Sequence, residues 1–324
     1  MQALWTRTPR PLAQGLSRLT LLTPPSALPN ETRHSSSNSR WKQRQGADQF
    51  ARSARVQGLK SRAAFKLLEM DSRHNLFKRG QVVVDLGFAP GSWSQVAVER
   101  TKPGGRVVGI DLIPAQPPRG VSTIQGNFLS PRVQAMVKQF LADAEQRDAE
   151  ERAVLRPEWE EGEDVVVGER LSYIDAERSA AAQEGEAQAE GKRQERRLRL
   201  VDVVLSDMCE PWPQTQGFSI RSLSNPYTRM MNTSGINFKD HAGSMDLCKA
   251  ALTFASDTLK TGGHFVCKFY QGAEDKAFEN LLKKMFTKVH REKPESSRSE
   301  SREAFFVALK RKPNITLKDV EAGV

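Results

Sequence analysis

Residues 81–93 read QVVVDLGFAPGSW. An uninterrupted apolar run of this length suits a strand buried on both faces of a parallel sheet. Here the run ends in Asp85, Leu86 and Gly87, and a second glycine, Gly91, precedes Ser92 and Trp93 at the start of a helix-like segment, Ser92–Arg100. Glycines let the backbone turn tightly, and a helix N-terminus offers free N–H groups to a carboxylate or phosphate. A nucleotide-binding glycine loop and a plain strand-to-helix turn both fit this pattern. The G-x-x-x-x-G-K-[ST] of a P-loop is not here, which argues against NTP hydrolysis.

Outward from this stretch the same kind of run recurs at Arg106–Ile110, Val121–Ile124, Val201–Ser206 and His264–Phe269. Helix-like segments at Pro131–Asp143 and His241–Leu259 lie between, and runs around Phe286–His290 and Ala304–Leu309 can close the sheet as a hairpin. Ahead of the first strand, residues 41–80 form a basic, amphipathic helical lead-in with Phe65, Leu67, Leu68 and Met70 as its apolar rhythm. Strands alternating with helices predict a Rossmann-like α/β domain, a mostly parallel seven-stranded sheet flanked by helices. In such sheets ligands bind beyond the carboxyl ends of the strands, at the switch in strand order.

The strand ends therefore carry the candidate chemistry. Asp111 follows the second strand, 24 residues after Gly87, and an acid there can accept from ribose hydroxyls or cap a helix. Asn127 and Phe128 follow the third strand, where an adenine ring could stack on Phe128 while Asn127 bonds its edge. Asp207 follows the fourth. Lys268 lies inside the fifth, in FVCKFY, where a lysine is costly unless its head reaches a polar site or snorkels from an edge.

The chain has 324 residues, 49 Lys+Arg and 39 Asp+Glu, a formal charge of +10. Residues 1–40 hold five arginines, one acid and many Ser, Thr, Leu and Pro, the composition of an organelle transit peptide, or alternatively of a disordered basic tail. Residues 143–200 are acidic low-complexity chain, including EWEEGED at 158–164, and read as an insertion that is either disordered or a solvated helical hairpin. The first segment contributes +4 and the second −7, so the rest of the chain carries +13, which points to a polyanionic partner such as nucleic acid. Arg52, Arg55, Lys60, Arg62, Arg298 and Arg302 are candidate phosphate contacts. Three scattered cysteines, Cys209, Cys248 and Cys267, suit a reducing compartment and neither a disulfide scaffold nor a closed zinc site; no metal is expected. No window approaches the roughly 20 apolar residues of a membrane span.

Seven ordered pieces resemble the FtsJ/RrmJ family of S-adenosylmethionine-dependent rRNA 2′-O-ribose methyltransferases: LKSRAAFKL at 59–67, VDLGFAPGSWSQ at 84–95, VVGIDLIP at 107–114, IQGNF at 124–128, VLSDM at 204–208, GGHFVCKFYQG at 262–272 and KPESSRSESREAFFVA at 293–308. The resemblance implies a catalytic tetrad of Lys66, Asp207, Lys268 and Glu303. It places S-adenosyl-L-methionine at Gly91, Trp93, Asp111, Asn127 and Asp207; the glycine loop adds Gly87 and Ser92, and the strand-end reading adds Phe128. Asn127 stands where the bacterial enzymes usually carry Asp, Phe88 replaces a small residue and is expected to narrow the pocket, and CEPWPQTQG at 209–217 departs from the usual Asp-Met-Ala-Pro-Asn pattern. The implied product is a 2′-O-methyl uridine in mitochondrial large-subunit rRNA, made in the matrix by a monomer acting on free rRNA or a pre-ribosomal particle. The expected organisation is a presequence over 1–40, a methyltransferase domain over 41–312 interrupted by 143–200, and a tail over 313–324. Lys268 serves either as general base, with Lys66 as the second cation that lowers its pKa, or as an orienting cation. Two rival readings are an RNA base methyltransferase with Cys209 as nucleophile and a non-catalytic ribosome-assembly factor; Met208 in place of a proline before Cys209 weighs against the first, and the intact tetrad against the second.

Overall fold

The computed structural model describes residues 48–154, 199–210, 212–213, 230–231 and 233–322. The expected presequence and most of the 143–200 insertion lie outside the described residues.

Seven strands form one sheet in the order β3-β2-β1-β4-β7-β9-β8. They are β1 (Val82–Leu86), β2 (Arg106–Asp111), β3 (Val121–Gln125), β4 (Val201–Ser206), β7 (Leu259–Tyr270), β8 (Phe286–Glu292) and β9 (Glu303–Arg311). Neighbours from β3 to β7 pair in parallel, and β9 runs antiparallel to both β7 and β8. The expected hairpin thus closes one edge. Two-residue strands β5 (Trp212–Pro213) and β6 (Met230–Met231) pair separately.

Alternate residues of each central strand feed opposite cores. Val83, Val107, Val203, Val266 and Phe305 pack under α2 (Ala63–His74) and α3 (Ser92–Thr101). Val84, Val108, Val204, Phe265 and Phe306 pack under α4 (Pro131–Val154), α5 (Asn237–Thr258) and α6 (Asp275–Met285). Burial on both faces is why β1, β2 and β4 read as nearly continuous apolar runs.

Three segments differ from expectation. The basic lead-in is two helices, α1 (Gln49–Val56) and α2, broken at Gly58, whose φ of 67° lies in the left-handed region. Helix α4 continues past Asp143 to Val154, anchored where Arg106 donates to Asp148 at 2.6 Å. The expected tail instead folds into α7 (Leu317–Glu321), opened by a Thr316/Asp319 capping box, with Leu317 and Val320 buried against the α5 side of the core. Buried Arg311 donates to the Leu259 and Ile315 carbonyls and fixes the chain leading into it. Among the described residues no helix is long and apolar enough to cross a membrane.

Candidate active site

The strand order reverses between β1 and β4, and a cleft of about 1030 Å³ opens at their carboxyl ends. Its floor begins with the glycine loop. Gly87 has φ 76°, and a Cβ there would come within 2.8–2.9 Å of Met208 Cγ and Cα, so the absence of a side chain lets the loops after β1 and β4 close together. Gly91, at φ 100°, precedes α3 and abuts Pro118.

The four residues of the implied tetrad converge on this cleft from α2, β4, β7 and β9. Lys66 pairs with Glu303 at 2.7 Å and lies over the Phe305 ring. Lys268 Nζ donates to the Asp207 carbonyl at 2.7 Å and to Cys209 Sγ at 2.5 Å, and sits 3.0 Å from Asp207 Oδ1. That last approach is close enough for an ion pair but is not aligned as a hydrogen bond, so Oδ1 stays buried without a hydrogen-bond partner.

Electrostatics sort the roles. Burial pulls the Lys268 ammonium down, but Asp207, then Cys209 and Tyr270, outweigh it and hold Lys268 well above the ordinary lysine value. Burial would raise the Glu303 carboxyl, yet the Lys66 ion pair and Lys268 behind it keep it below the usual range. Burial and the Cys209 sulfur push the Tyr270 phenol up, so it remains neutral. Lys66 is therefore not a cation that frees Lys268 of its proton: it is engaged with Glu303.

The cofactor candidates divide. Asp111 lines the cleft with both oxygens already accepting backbone N–H groups, from Ala89 at 2.9 Å and from Ile113 at 2.9 Å. Each oxygen keeps a lone pair for a hydroxyl. Asn127 Oδ1 accepts from Leu129 N at 3.0 Å, leaving its NH₂ and one lone pair. Phe128 lines the cleft but is 5% exposed, with its ring T-shaped to that of Phe254 at 5.4 Å. Adenine stacking on its face is therefore replaced as a reading by the apolar walls that sequence reasoning missed, Leu112 and Leu129, 48% and 50% exposed beside the cleft. Trp93 is likewise buried. It donates from Nε1 to the Ala63 carbonyl at 2.9 Å and packs on Phe305, so it positions α2, and Lys66 with it. Ser92 shares a 2.6 Å hydrogen bond with Ser61. Phe88 does not narrow the cleft: its ring is buried over Gly109, where a Cβ would come within 2.7 Å of it.

The basic candidates also divide. Arg298 and Arg302 are exposed and line the cleft. Arg62 lines it too, but is committed to Asp48 and the Ser296 carbonyl. Lys60 donates to the Gln116 carbonyl at 2.7 Å, and Arg52 and Arg55 lie exposed on α1 outside the cleft lining. Glu69 accepts from the Glu295 and Ser296 N–H groups at 2.7 and 3.0 Å, straps the loop carrying Arg298 and Arg302 to α2, and had no sequence signal of its own.

Fold and cleft place the chain in the broad class of doubly wound α/β proteins that act on a ligand at the sheet's switch point. Within that class it belongs to the FtsJ-like methyltransferase family, whose model matches residues 59–311. Among similar proteins, "rRNA methyltransferase 2, mitochondrial" of Saccharomyces cerevisiae is 39% identical, with 89% of this chain and 92% of that one covered. The protein of the same description from Schizosaccharomyces pombe is 33% identical over 84% and 96%. "Ribosomal RNA large subunit methyltransferase E" of Thiobacillus denitrificans is 32% identical over 88% and 94%.

Proposed function

We propose that this methyltransferase transfers a methyl group from S-adenosyl-L-methionine to the 2′-hydroxyl of a uridine in mitochondrial large-subunit rRNA, working in the matrix as a monomer. The descriptions of the yeast and bacterial relatives support rRNA as the substrate, and the two yeast proteins support the mitochondrion. Residues 1–40 serve as the import signal, and the catalytic domain is interrupted by the insertion within 143–200.

The observation that carries the reading is the Lys268–Asp207 pair and the Lys66–Glu303 pair lining one cleft. A ribose hydroxyl is a weak nucleophile and needs orientation and help in losing its proton. Lys268, held protonated by its neighbours, is an orienting cation: it aims the hydroxyl and stabilises developing alkoxide charge. Glu303 holds Lys66 beside it. The methyl donor, when bound, supplies an electrophilic S-methyl carbon. The residues fit it: Asp111 suits ribose hydroxyls, Asn127 suits a base edge, and Leu112 and Leu129 give a base its apolar walls. Arg298 and Arg302 receive the RNA backbone.

Lys268→Ala is expected to abolish transfer from labelled S-adenosylmethionine while cofactor affinity, measured by calorimetry, stays within about threefold. Near-normal turnover in that variant would sink the assignment.

A further inference from the structure

Strand β9 runs from the cleft to the opposite end of the sheet. Glu303 pairs with Tyr270 beside the cleft, whereas Arg311 pairs with Phe286 at the far end. Lys310 therefore lies about 23 Å along β9 from Glu303, at the usual rise of a strand residue. At that end lysines arrive from several parts of the chain. Lys283 and Lys284 close α6, and Lys312 donates to both of their carbonyls, at 2.9 and 3.1 Å. Thr287 donates to the Lys310 carbonyl at 3.0 Å, and Lys288 stands opposite Leu309, the residue before Lys310. Lys78 comes from the loop ahead of β1 and meets Lys310 at His264. There Nδ1 accepts from Lys310 N at 3.1 Å, and burial, then the Lys78 and Lys310 ammonium groups, hold the imidazole below its ordinary value.

The acids of this region are already paired: Glu279 with Lys283 at 2.6 Å and Asp202 with Lys260 at 3.1 Å. Lys78, Lys284, Lys288 and Lys310 are exposed, and among the described residues their ammonium groups have no hydrogen-bond or ion-pair partner. Lys310 also holds a φ of 57°, a left-handed conformation that favours glycine, yet a lysine stands there. Gathered like charges repel one another and draw in a polyanion. We propose that this far face is a second RNA-binding surface, which grips the phosphate backbone of large-subunit rRNA away from the target nucleotide. The inference rests on the rRNA reading above. Lysines act on phosphates as point charges, so this face holds RNA without reading its sequence. Its distance from the cleft calls for a second segment of a folded RNA, so the surface favours a large structured substrate over a short strand.

The test compares wild type with the quadruple variant Lys78→Gln, Lys284→Gln, Lys288→Gln and Lys310→Gln, and with the same four positions changed to Arg. Affinity for naked large-subunit rRNA should fall about tenfold in the Gln variant and be kept in the Arg variant. Hydroxyl-radical footprinting should show wild type protecting the target region and a second, separate region, and the Gln variant losing only the second. Transfer at saturating RNA and affinity for S-adenosylmethionine should not change, because none of the four residues lines the cleft. Unchanged affinity and footprint in the Gln variant, or equal losses in the Gln and Arg variants, overturns the second surface. So does a loss seen on pre-ribosomal particles but not on naked rRNA, which would give this face to an acidic protein. In each of those cases the functional reading stands. A wild type that shows both footprints but makes no ribose-methylated product overturns that reading and leaves the second surface; one that does not bind rRNA overturns both.

Discussion

Replacing Asp85 with Asn should make the protein's stability less sensitive to pH, independently of any catalytic role. Asp85 is fully buried and its carboxyl is raised from 3.8 to about 7. The folded state therefore binds a proton that the unfolded chain has lost between those two values, and stability falls as pH rises across that window. Below it both states are protonated and the penalty vanishes; above it both are ionised and the penalty is complete. A shift of about 3 units corresponds to about 4 kcal/mol. Asn fills nearly the same volume, can still accept from Ser94 and carries no charge. Relative to wild type, Asp85→Asn should gain about 4 kcal/mol between pH about 4 and about 8. Urea unfolding of both proteins at a series of pH values gives the curve directly. Two stability profiles that run parallel from pH 4 to 8 would refute the reasoning, because they would mean that Asp85 titrates alike in the folded and unfolded chains.

Further outcomes follow from the same geometry. Gly87→Ala forces a side chain into a left-handed backbone position and against the Met208 backbone; it should cost about 2–3 kcal/mol in unfolding experiments and displace Asp207 enough to remove transfer. Glu69→Ala releases the strap under residues 295 and 296; KM for RNA should rise several-fold while cofactor affinity holds, and equal loss of both would argue against the strap. Affinity for a short RNA that fills only the cleft should fall with salt with a log–log slope of about −1.5 to −3, as two to four phosphate contacts require, and a flat response would remove Arg298 and Arg302 from the interface.

Much of this was legible because it follows from burial. A strand covered on both faces must be apolar throughout, so β1, β2 and β4 announced themselves, and with them the ends where Asp111 and Asp207 sit. Lys268 stood out for the opposite reason, as a charge within an apolar strand, and the structure supplies the carboxylate and carbonyl that make it tolerable. Asp85 is the same kind of signal, an acid closing VVVD, but at the end of an apolar run an acid looks like a strand boundary. Trp93 and Phe128 show the limit. Aromatic residues beside a ligand-binding loop look alike whether they face the ligand or the core, and only the packing of Trp93 on Phe305 and of Phe128 on Phe254 decides. Leu112 and Leu129 show the reverse: exposed leucines are common enough to carry no signal until a cleft appears between them. The α7 helix escaped because its two buried anchors, Leu317 and Val320, are too few for a periodicity.

The most direct measurement incubates the protein with labelled S-adenosylmethionine and large-subunit rRNA or pre-ribosomal particles, then maps the labelled nucleotide and digests it to nucleosides. Label is expected on a single uridine, in a linkage that resists alkaline hydrolysis, and no label is expected with Lys268→Ala. Label on a base, cleaved normally by alkali and retained in Lys268→Ala, would contradict ribose methylation.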